Sequence, residues 1–240
     1  RVGAGLVTLG APGPAMMECA VQSTALMLRR CADGAALSAR LEDGRITAIC
    51  LGPGLGTNER AEGLVEAAIV SGRACVLDAD ALTVLAASGD LGLHDRCVAT
   101  PHGGEFARLC PDLSDRLTAP ALSGPAFSRV EAAREAAARA GCVMLLKGPD
   151  TIVAGPDGRT AIHSAAYDRA APWLATAGSG DVLAGMIAGL LARGLAPFEA
   201  ACAAAWLHVE AARLFGPGLI AEDLPEMLPR VFATLDGPTA

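Results

Sequence analysis

The feature that most constrains this chain is the alternation of short apolar runs with longer, alanine-rich segments. Residues 46–51, 74–77 and 143–147 are apolar runs with the length of buried strands. Residues 58–71 and 129–140 instead place apolar side chains at helical spacing. Strands that alternate with helices form a mostly parallel sheet with helices on both faces. We therefore predict an α/β fold with three layers, α/β/α.

The remaining segments extend this pattern. Gly155–Gly158 contains Asp-Gly and indicates a hairpin between two short strands. Residues 111–126, rich in Pro, Ser and Asp, are predicted to form a surface loop. No linker or repeat interrupts the chain, so we expect a single domain over residues 1–240. We also expect this domain to lack the first strand and helix of its fold. Further strands are predicted at residues 5–9, 97–100, 151–154 and 160–163. Further helices are predicted at residues 179–193 and 197–215, after the loop 100–105 as far as residue 110, and within the tail 217–240.

Composition limits the possible partners. The formal net charge of −7 disfavours binding to nucleic acid or to an anionic membrane. The longest apolar stretch, near residues 182–192, is shorter than the roughly 20 residues that span a bilayer. Eight cysteines form no Cys-x-x-Cys pair, and Cys50, Cys75, Cys97 and Cys142 lie in or beside apolar runs. We expect buried, reduced thiols in a cytoplasmic protein.

Four loops follow predicted strands, at residues 52–56, 78–80, 100–105 and 147–151. Ligands of such sheets bind beyond the carboxyl ends of the strands, so we expect the four loops to gather at one ligand-binding edge. Asp78 and Asp80 in the second loop are predicted to organise either Mg²⁺ or the loop itself.

The segment Gly178-Ser179-Gly180-Asp181 carries the sharpest chemical signal. Its glycine turn opens a helix, whose free amide N–H groups and dipole favour a bound phosphate. Asp181 would then lie beside a transferred phosphoryl group and accept a proton from a hydroxyl nucleophile. An ordinary helix N-cap with an acidic first turn explains the same spacing equally well.

Three further loops are candidate ligand sites. The segment Lys147-Gly148-Pro149-Asp150-Thr151 can hold phosphate or adenosine, or be a hairpin turn with a solvated lysine. Residues 52–56 bring backbone close to a ligand but lack the Gly-Lys-Ser/Thr of a P-loop. His102 is a candidate ligand contact or a loop cap, and Glu105 can reach a metal through water. His94, His163 and His208 have no partner at a useful spacing and are interpreted as structural.

Taken in order, these motifs resemble the ADP-dependent NAD(P)H-hydrate dehydratase family, which has a ribokinase-like fold. The resemblance covers residues 1 to about 216 and depends on six motifs that follow one another in the family's order. They are Gly3-Ala4-Gly5-Leu6-Val7-Thr8, Gly52-Pro53-Gly54-Leu55-Gly56, Leu77-Asp78-Ala79-Asp80-Ala81-Leu82, Thr100-Pro101-His102-x-Gly104-Glu105-Phe106, Lys147-Gly148-x-x-Thr151 and Gly178-Ser179-Gly180-Asp181-Val182-Leu183-x-Gly185.

The resemblance implies an activity and a set of site residues. ADP or ATP would phosphorylate the C6 hydroxyl of (S)-NAD(P)H hydrate, phosphate would leave, and NAD(P)H would return. Mg²⁺ would bridge the nucleotide phosphates, and Asp181 would be the catalytic residue. The residues implied to contact the hydrated dinucleotide are Ala4, Gly54, His102 and Asp181. Those implied to contact the nucleotide are Lys147, Gly148, Pro149, Asp150, Thr151, Gly178, Ser179 and Gly180.

The resemblance also implies partners. It suggests a homotetramer, and an NAD(P)H-hydrate epimerase either separate or fused ahead of this chain. The sequence departs from the family pattern at Gly103, where proline is usual, and at Ala171 and Trp173, where asparagine and glycine are usual. Two other functions stay open: a ribokinase-like kinase for a vitamin precursor or sugar, and a non-catalytic sensor of adenine nucleotide.

Overall fold

A six-stranded sheet forms the centre of the protein in the computed structural model, which describes residues 1–89 and 91–235. The strands lie side by side in chain order: the first four are parallel, and the last two join antiparallel. The four parallel carboxyl ends therefore share one edge, as the sequence predicts. These strands are β3 (Ala48–Leu51), β4 (Ala74–Leu77), β5 (Cys97–Ala99), β6 (Val143–Leu146), β7 (Asp150–Ala154) and β8 (Thr160–Ser164).

A second, two-stranded parallel sheet precedes this one in the chain. It pairs β1 (Thr8–Ala11) with β2 (Met27–Arg30), and two helices, α1 (Met16–Gln22) and α2 (Gly34–Leu41), accompany it. Neither α1 nor β2 has a buried residue. This unit is therefore less embedded in apolar surroundings than the six-stranded sheet.

Helices cover both faces of the six-stranded sheet and create two separate cores. Val76, Val98 and Leu145 face one core, against which the last three helices pack. Cys75, Leu77 and Met144 face the other core, which the middle helices cover. The last helices are α8 (Ser179–Ala192), α9 (Pro197–Phe215) and α10 (Asp223–Leu235), and the middle helices are α3 (Glu59–Val70), α4 (Ala79–Ser88), α5 (Gly103–Leu109), α6 (Pro111–Thr118) and α7 (Arg129–Ala140).

Alanine determines how closely these helices pack. Ala132, Ala133, Ala136 and Ala137 on α7 are fully buried, and α9 presents a similar buried row. Small side chains let a helix lie close to the sheet, so a chain with few aromatic residues still fills its core. The three-layer α/β/α prediction is confirmed.

Several sequence predictions were wrong in detail. Residues 111–118 form α6 instead of a loop, because Leu113 packs into the core and Pro111 suits a first helical turn. The supposed ligand loop 78–80 is the start of α4, and the sequence analysis also missed α1, β2 and α2. The part of the predicted tail beyond residue 235 lies outside the described residues.

The cysteine prediction is confirmed in part. All eight cysteines are free, and Cys75, Cys97 and Cys142 are buried. Cys50 is exposed, contrary to the prediction, because β3 is an edge strand of its sheet. Among the helices of the described chain, none combines the length and the apolar character needed to cross a membrane.

Candidate active site

The first turn of α8 forms an anion-binding backbone. Gly178 precedes the helix with a positive φ of 82°, a conformation that glycine adopts without steric cost. Ser179, Gly180 and Asp181 make the first turn, where amide N–H groups have no intrahelical acceptor. The Ser179 hydroxyl donates to the carbonyl oxygen of Leu174 at 2.7 Å. This bond ties the Ser179 side chain to the segment that precedes the helix.

Lys147 lies directly against this turn. Its Nζ donates to Asp78 Oδ1 at 2.7 Å and lies 3.6 Å from Glu105 Oε2. A Cβ atom placed on Gly180 would come within 3.3 Å of the same Nζ. The structure thus brings the predicted nucleotide-binding lysine to the predicted phosphate-binding helix start, although 33 residues separate them in sequence.

Asp78 holds the ammonium group of Lys147 in place. Its side chain is only 1% exposed, and Oδ1 also accepts a hydrogen bond from the Thr100 hydroxyl at 2.8 Å. Asp78 Oδ2 has no partner in the described part of the chain. The sequence offered only a weak signal for this role, an acid placed directly after a fully buried strand.

Asp80 has a separate, local role. Its Oδ2 accepts a hydrogen bond from the Gly56 amide at 2.8 Å and ties the glycine loop to α4. In the same loop, a Cβ atom on Gly52 would come within 1.7 Å of the Asp78 carbonyl oxygen. The contact of Asp80 favours the interpretation that it organises the loop.

His102 is the N-cap residue of α5. Its Nδ1 accepts from the amide of Gly104 at 2.9 Å, and Glu105 Oε2 accepts from the His102 amide at 2.7 Å. Because Nδ1 is an acceptor, the ring proton lies on Nε2, and the side chain remains 56% exposed. The capping interpretation is thus correct. Nε2 lies 3.6 Å from Glu105 Oε1, and the exposed ring remains accessible to a ligand. Both bonds of this capping box form with Gly103 and Gly104 in the turn.

The electrostatic environment suits Asp181 for proton transfer. Burial raises the pKa of the Asp181 carboxyl above its ordinary value, and the negative charge of Asp78 raises it further. Lys147 lowers the pKa of Asp181, while Glu105 and Asp80 add smaller upward contributions. A carboxylate with a raised pKa is a stronger base than a fully solvated one, which is what abstraction of a hydroxyl proton requires.

A cavity of about 110 Å³ opens beside this cluster. Five of the eight residues predicted to bind the nucleotide line it, on the β6–β7 connection, β7 and the first turn of α8: Lys147, Gly148, Thr151, Ser179 and Gly180. Another part of the wall comes from α9 and includes His208, which was predicted to be structural. The fold therefore brings these five residues around one space.

The other predicted residues lie outside this cavity. Pro149 and Asp150 are exposed, and Gly54 is at the exposed turn of its loop with a φ of +63°. Ala4 follows Gly3, which lies against the side chain of Arg193 at the far end of α8 from Asp181. Ala4 is thus not brought to Asp181, and its role stays a prediction from the resemblance.

Two of the three departures from the family pattern fall between β8 and α8. Ala171 is buried, with its amide bonded to the carbonyl oxygen of Ala165. Trp173 is 49% exposed in a short turn that ends at Leu174, a residue of the cavity wall. The tryptophan therefore changes the surface next to the cavity and leaves the helix start intact.

No metal cage is built from the protein alone. Across residues 1–89 and 91–235, no three His, Cys, Asp or Glu side chains come together to hold an ion. Asp78 and Glu105, the two most buried acids of the cluster, already bind Lys147 or a backbone amide. A metal ion at this site would depend on ligands that a bound nucleotide brings.

Comparison with known families identifies the family of this chain. A family model described as NAD(P)H-hydrate dehydratase matches residues 1–229. The chain belongs to the NAD(P)H-hydrate dehydratase family. The resemblance drawn from six motifs is confirmed.

Individual relatives agree with this membership. The chain is 42% identical over 195 residues to the bifunctional NAD(P)H-hydrate repair enzyme Nnr of Salinibacter ruber, covering 78% of this chain and 33% of that protein. It is 40% identical over 178 residues to the ADP-dependent (S)-NAD(P)H-hydrate dehydratase of Neisseria meningitidis, covering 70% and 54%. The chain thus spans between a third and about half of these curated relatives.

A solved structure supports the fold. The ADP/ATP-dependent NAD(P)H-hydrate dehydratase of Bacillus subtilis, co-crystallised with ATP and Mg²⁺ and soaked with CoA, superposes with a TM-score of 0.74 at 27% identity. The match covers 98% of this chain and 83% of that one. The ribokinase-like fold prediction is therefore confirmed.

Proposed function

We propose that this chain dehydrates (S)-NAD(P)H hydrate to NAD(P)H at the expense of ADP or ATP. Family membership and the names of the Neisseria and Bacillus relatives support the reaction. The observation that carries the proposal is the position of Asp181 in the first turn of α8, with the ammonium group of Lys147 against the same turn.

The chemistry converts a poor leaving group into a good one. Asp181 accepts the proton of the C6 hydroxyl as that oxygen forms a bond to the terminal phosphorus of the nucleotide, and the bond from phosphorus to the bridging oxygen breaks. The ring nitrogen then donates its electron pair to expel phosphate from C6. Loss of a proton from the neighbouring C5 restores the double bond, so each turnover releases inorganic phosphate and the shortened nucleotide.

The protein stabilises the moving phosphoryl group by fixed charges. The dipole of α8 and the amide groups of its first turn favour negative charge at this helix start. Lys147 adds a positive charge that Asp78 and Glu105 hold in position before any ligand arrives. Donors that are already oriented need no reorganisation during the reaction, which is the source of their catalytic benefit.

The two ligands would divide the remaining predicted residues. Lys147, Gly148, Thr151 and Gly180, with Gly178, Ser179, Pro149 and Asp150, would contact the adenine nucleotide. His102 through Nε2–H, together with Gly54, Ala4 and Asp181, would contact the hydrated dinucleotide. The walls of the cavity support the first group, and the exposed ring of His102 supports its place in the second.

Mg²⁺ fits this site as an ion delivered by the nucleotide. The charges of Asp78, Glu105 and Asp80 all raise the pKa of Asp181, whereas the charge of Lys147 lowers it, so a phosphate-rich ligand needs extra positive charge there. Mg²⁺ commonly binds substrate phosphates and keeps several waters, and Glu105 would reach it through water. When bound, the ion would neutralise phosphate charge.

Replacing Asp181 tests the proposal. We expect wild-type protein, mixed with (S)-NADH hydrate, Mg²⁺ and either ADP or ATP, to restore dihydronicotinamide absorbance and release inorganic phosphate. Asp181→Asn should lower kcat by at least about a thousandfold, because a general base and its charge are both lost. Nucleotide affinity, measured by calorimetric titration, should change by less than about threefold, since the anion-binding amides remain.

The same variant has a stability control. Because burial raises the pKa of Asp181, its charged form is disfavoured in the folded state, and this cost appears as pH rises through the folded pKa. Asp181→Asn removes the cost, so its Tm at pH 7 should equal or exceed that of the wild type. Near-normal dehydration by this variant would exclude Asp181 as the base. A stable phosphorylated product without phosphate release would identify a kinase instead.

The wider biology is part of the same proposal. The bifunctional relatives support the pairing of this activity with a second one, for which an epimerase, fused or separate, is the expected source of the S form. A homotetramer and a cytoplasmic location stay predictions from the family.

A further inference from the structure

His208 is a buried histidine that belongs to the cavity wall. It lies in the middle of α9, is 7% exposed, and its Nε2 is 2.9 Å from the carbonyl oxygen of Ser179. Ser179 is in the α8 turn that would bind phosphate. The interpretation of His208 as structural explains this one bond and leaves the second ring nitrogen without a role.

The bond to Ser179 fixes the tautomer of His208. A carbonyl oxygen only accepts hydrogen bonds, so Nε2 must carry the proton and donate it. The pKa of His208 is lowered to about 4, chiefly by burial and also by the charges of Lys147 and His163, although the bond to Ser179 acts in the opposite direction; the ring is therefore neutral near pH 7. Nδ1 is consequently a hydrogen-bond acceptor. Within residues 1–89 and 91–235 it has no partner.

The cavity wall combines one charged side chain with an apolar lining. Lys147 lines the cavity together with Gly180 at the start of α8. The aliphatic lining comes from the β8–α8 segment, α8 and α9: Ala165, Leu174, Leu183, Ala205 and Val209. A flat heteroaromatic ring with a polar edge suits such surroundings, because its faces contact apolar groups while its edge meets a single fixed acceptor.

We propose that His208 selects the nucleobase of the co-substrate by accepting, at Nδ1, a hydrogen bond from the exocyclic 6-amino group of adenine. This inference rests on the proposed use of an adenine nucleotide. A 6-oxo purine places an acceptor opposite an acceptor and leaves both unpaired in a buried setting, so hypoxanthine and guanine are discriminated against. Through Ser179, the same imidazole links the base to the turn that holds the phosphates.

The wild-type protein gives the first test. ADP and IDP differ at position 6 of the purine, where IDP has an oxygen in place of the amino group and a proton on N1. We expect ADP to be favoured over IDP by at least about tenfold in two measurements. One is kcat/KM for the hydrated dinucleotide at a fixed, subsaturating nucleotide concentration, and the other is the calorimetric affinity for the nucleotide without substrate. Equal values for the two nucleotides would overturn the inference.

A matched pair of substitutions separates the two nitrogens. Gln carries its amide near the position of Nε2, so His208→Gln keeps a donor for Ser179 and loses the acceptor. Asn carries its amide near Nδ1, so His208→Asn keeps an acceptor and loses the bond to Ser179. We expect the ADP/IDP ratio of affinities to fall to within about threefold in the Gln variant and to persist in the Asn variant, with Tm showing that each is folded.

The outcomes distinguish this inference from the proposed function. Dehydration with equal use of ADP and IDP would refute the role of His208 and leave the reaction intact. Absence of dehydration with every nucleotide would refute the reaction, and the binding titrations would still decide the selectivity. An unchanged ADP/IDP ratio in folded His208→Gln would show that another group reads the base.

Discussion

A single buried ion pair joins two parts of the proposed site at the level of individual residues. Asp78 directly follows β4, and Lys147 directly follows β6. In the sheet, β5 lies between these two strands. The bond between them places a positive charge against α8 before any ligand binds. The charge of Asp78 also raises the pKa of Asp181, so one carboxylate influences both the phosphate-binding and the proton-accepting group.

Breaking this pair should cost stability. Lys147→Met leaves Asp78 buried without its counter-ion, and we expect the free energy of unfolding to fall by about 3 kcal/mol. This is the lower end of the cost for a buried pair, because the lysine side chain is 18% exposed. Asp78→Asn combined with Lys147→Met should recover the part of the loss that comes from Asp78, while Glu105 keeps its hydrogen bond from the His102 amide. Urea unfolding of the four proteins measures the coupling, and strictly additive losses would contradict it.

Sequence reasoning identified some of these residues and missed others for a physical reason. Lys147 and Asp181 each lie in a glycine-containing segment, so their neighbours in sequence are enough to suggest their chemistry. Asp78 acquires its role from Lys147, 69 residues away, and His208 from Ser179, 29 residues away. A contact of this kind depends on strand order and helix placement, which spacing along the sequence does not record.

At the level of elements, α8 is the helix on which the proposed chemistry depends. Two of its glycines differ in their surroundings: a Cβ atom on Gly180 would lie 3.3 Å from Lys147 Nζ, whereas one on Gly185 would meet nothing within 4 Å. Glycine is a poor helix former, so a glycine within a helix lowers the stability of that helix relative to alanine. Under the proposed function, close approach of a phosphate to the backbone would account for glycine at position 180.

Substitution by alanine tests this difference. Gly180→Ala should weaken the binding of ADP by at least about tenfold, because the added methyl group displaces Lys147 and occupies the approach to the helix start. Its effect on the free energy of unfolding should stay within about 1 kcal/mol, since only a flexible side-chain end must move. Gly185→Ala in the same helix is the control, with unchanged affinity and a gain of about 0.5–1 kcal/mol in stability. If Gly180→Ala bound ADP with wild-type affinity, the proposed position of the phosphate at this helix start would be wrong.

The elements themselves were predicted best where their packing is simplest. The fully buried strand Ala74–Leu77 and the helices Arg129–Ala140 and Pro197–Phe215 were predicted to the residue, because their apolar pattern and end signals agree. Residues 8–41 were largely missed. Neither α1 nor β2 has a buried side chain, so their sequences lack the periodicity that burial imposes.

At the level of the whole molecule, the two sheets should differ in their response to ligand. The cavity joins the β6–β7 connection, α8 and α9, all of which belong to the six-stranded unit. β1 and β2 pair only with each other among the described strands, and Met17 and Val21 on the intervening helix are exposed. Amides there should exchange through local opening that leaves the cavity closed.

Hydrogen exchange with and without ADP and Mg²⁺ can detect this difference. A ligand that binds only closed conformations raises the free energy of every opening that disrupts its site, by about 2.7 kcal/mol at a hundredfold excess over Kd. We expect slower exchange at residues 147–151, 179–183 and 205–209, and no change at residues 8–11 and 27–30, which serve as the internal control. Equal protection of both regions would mean that the two-stranded unit opens only together with the nucleotide site, as one cooperative body.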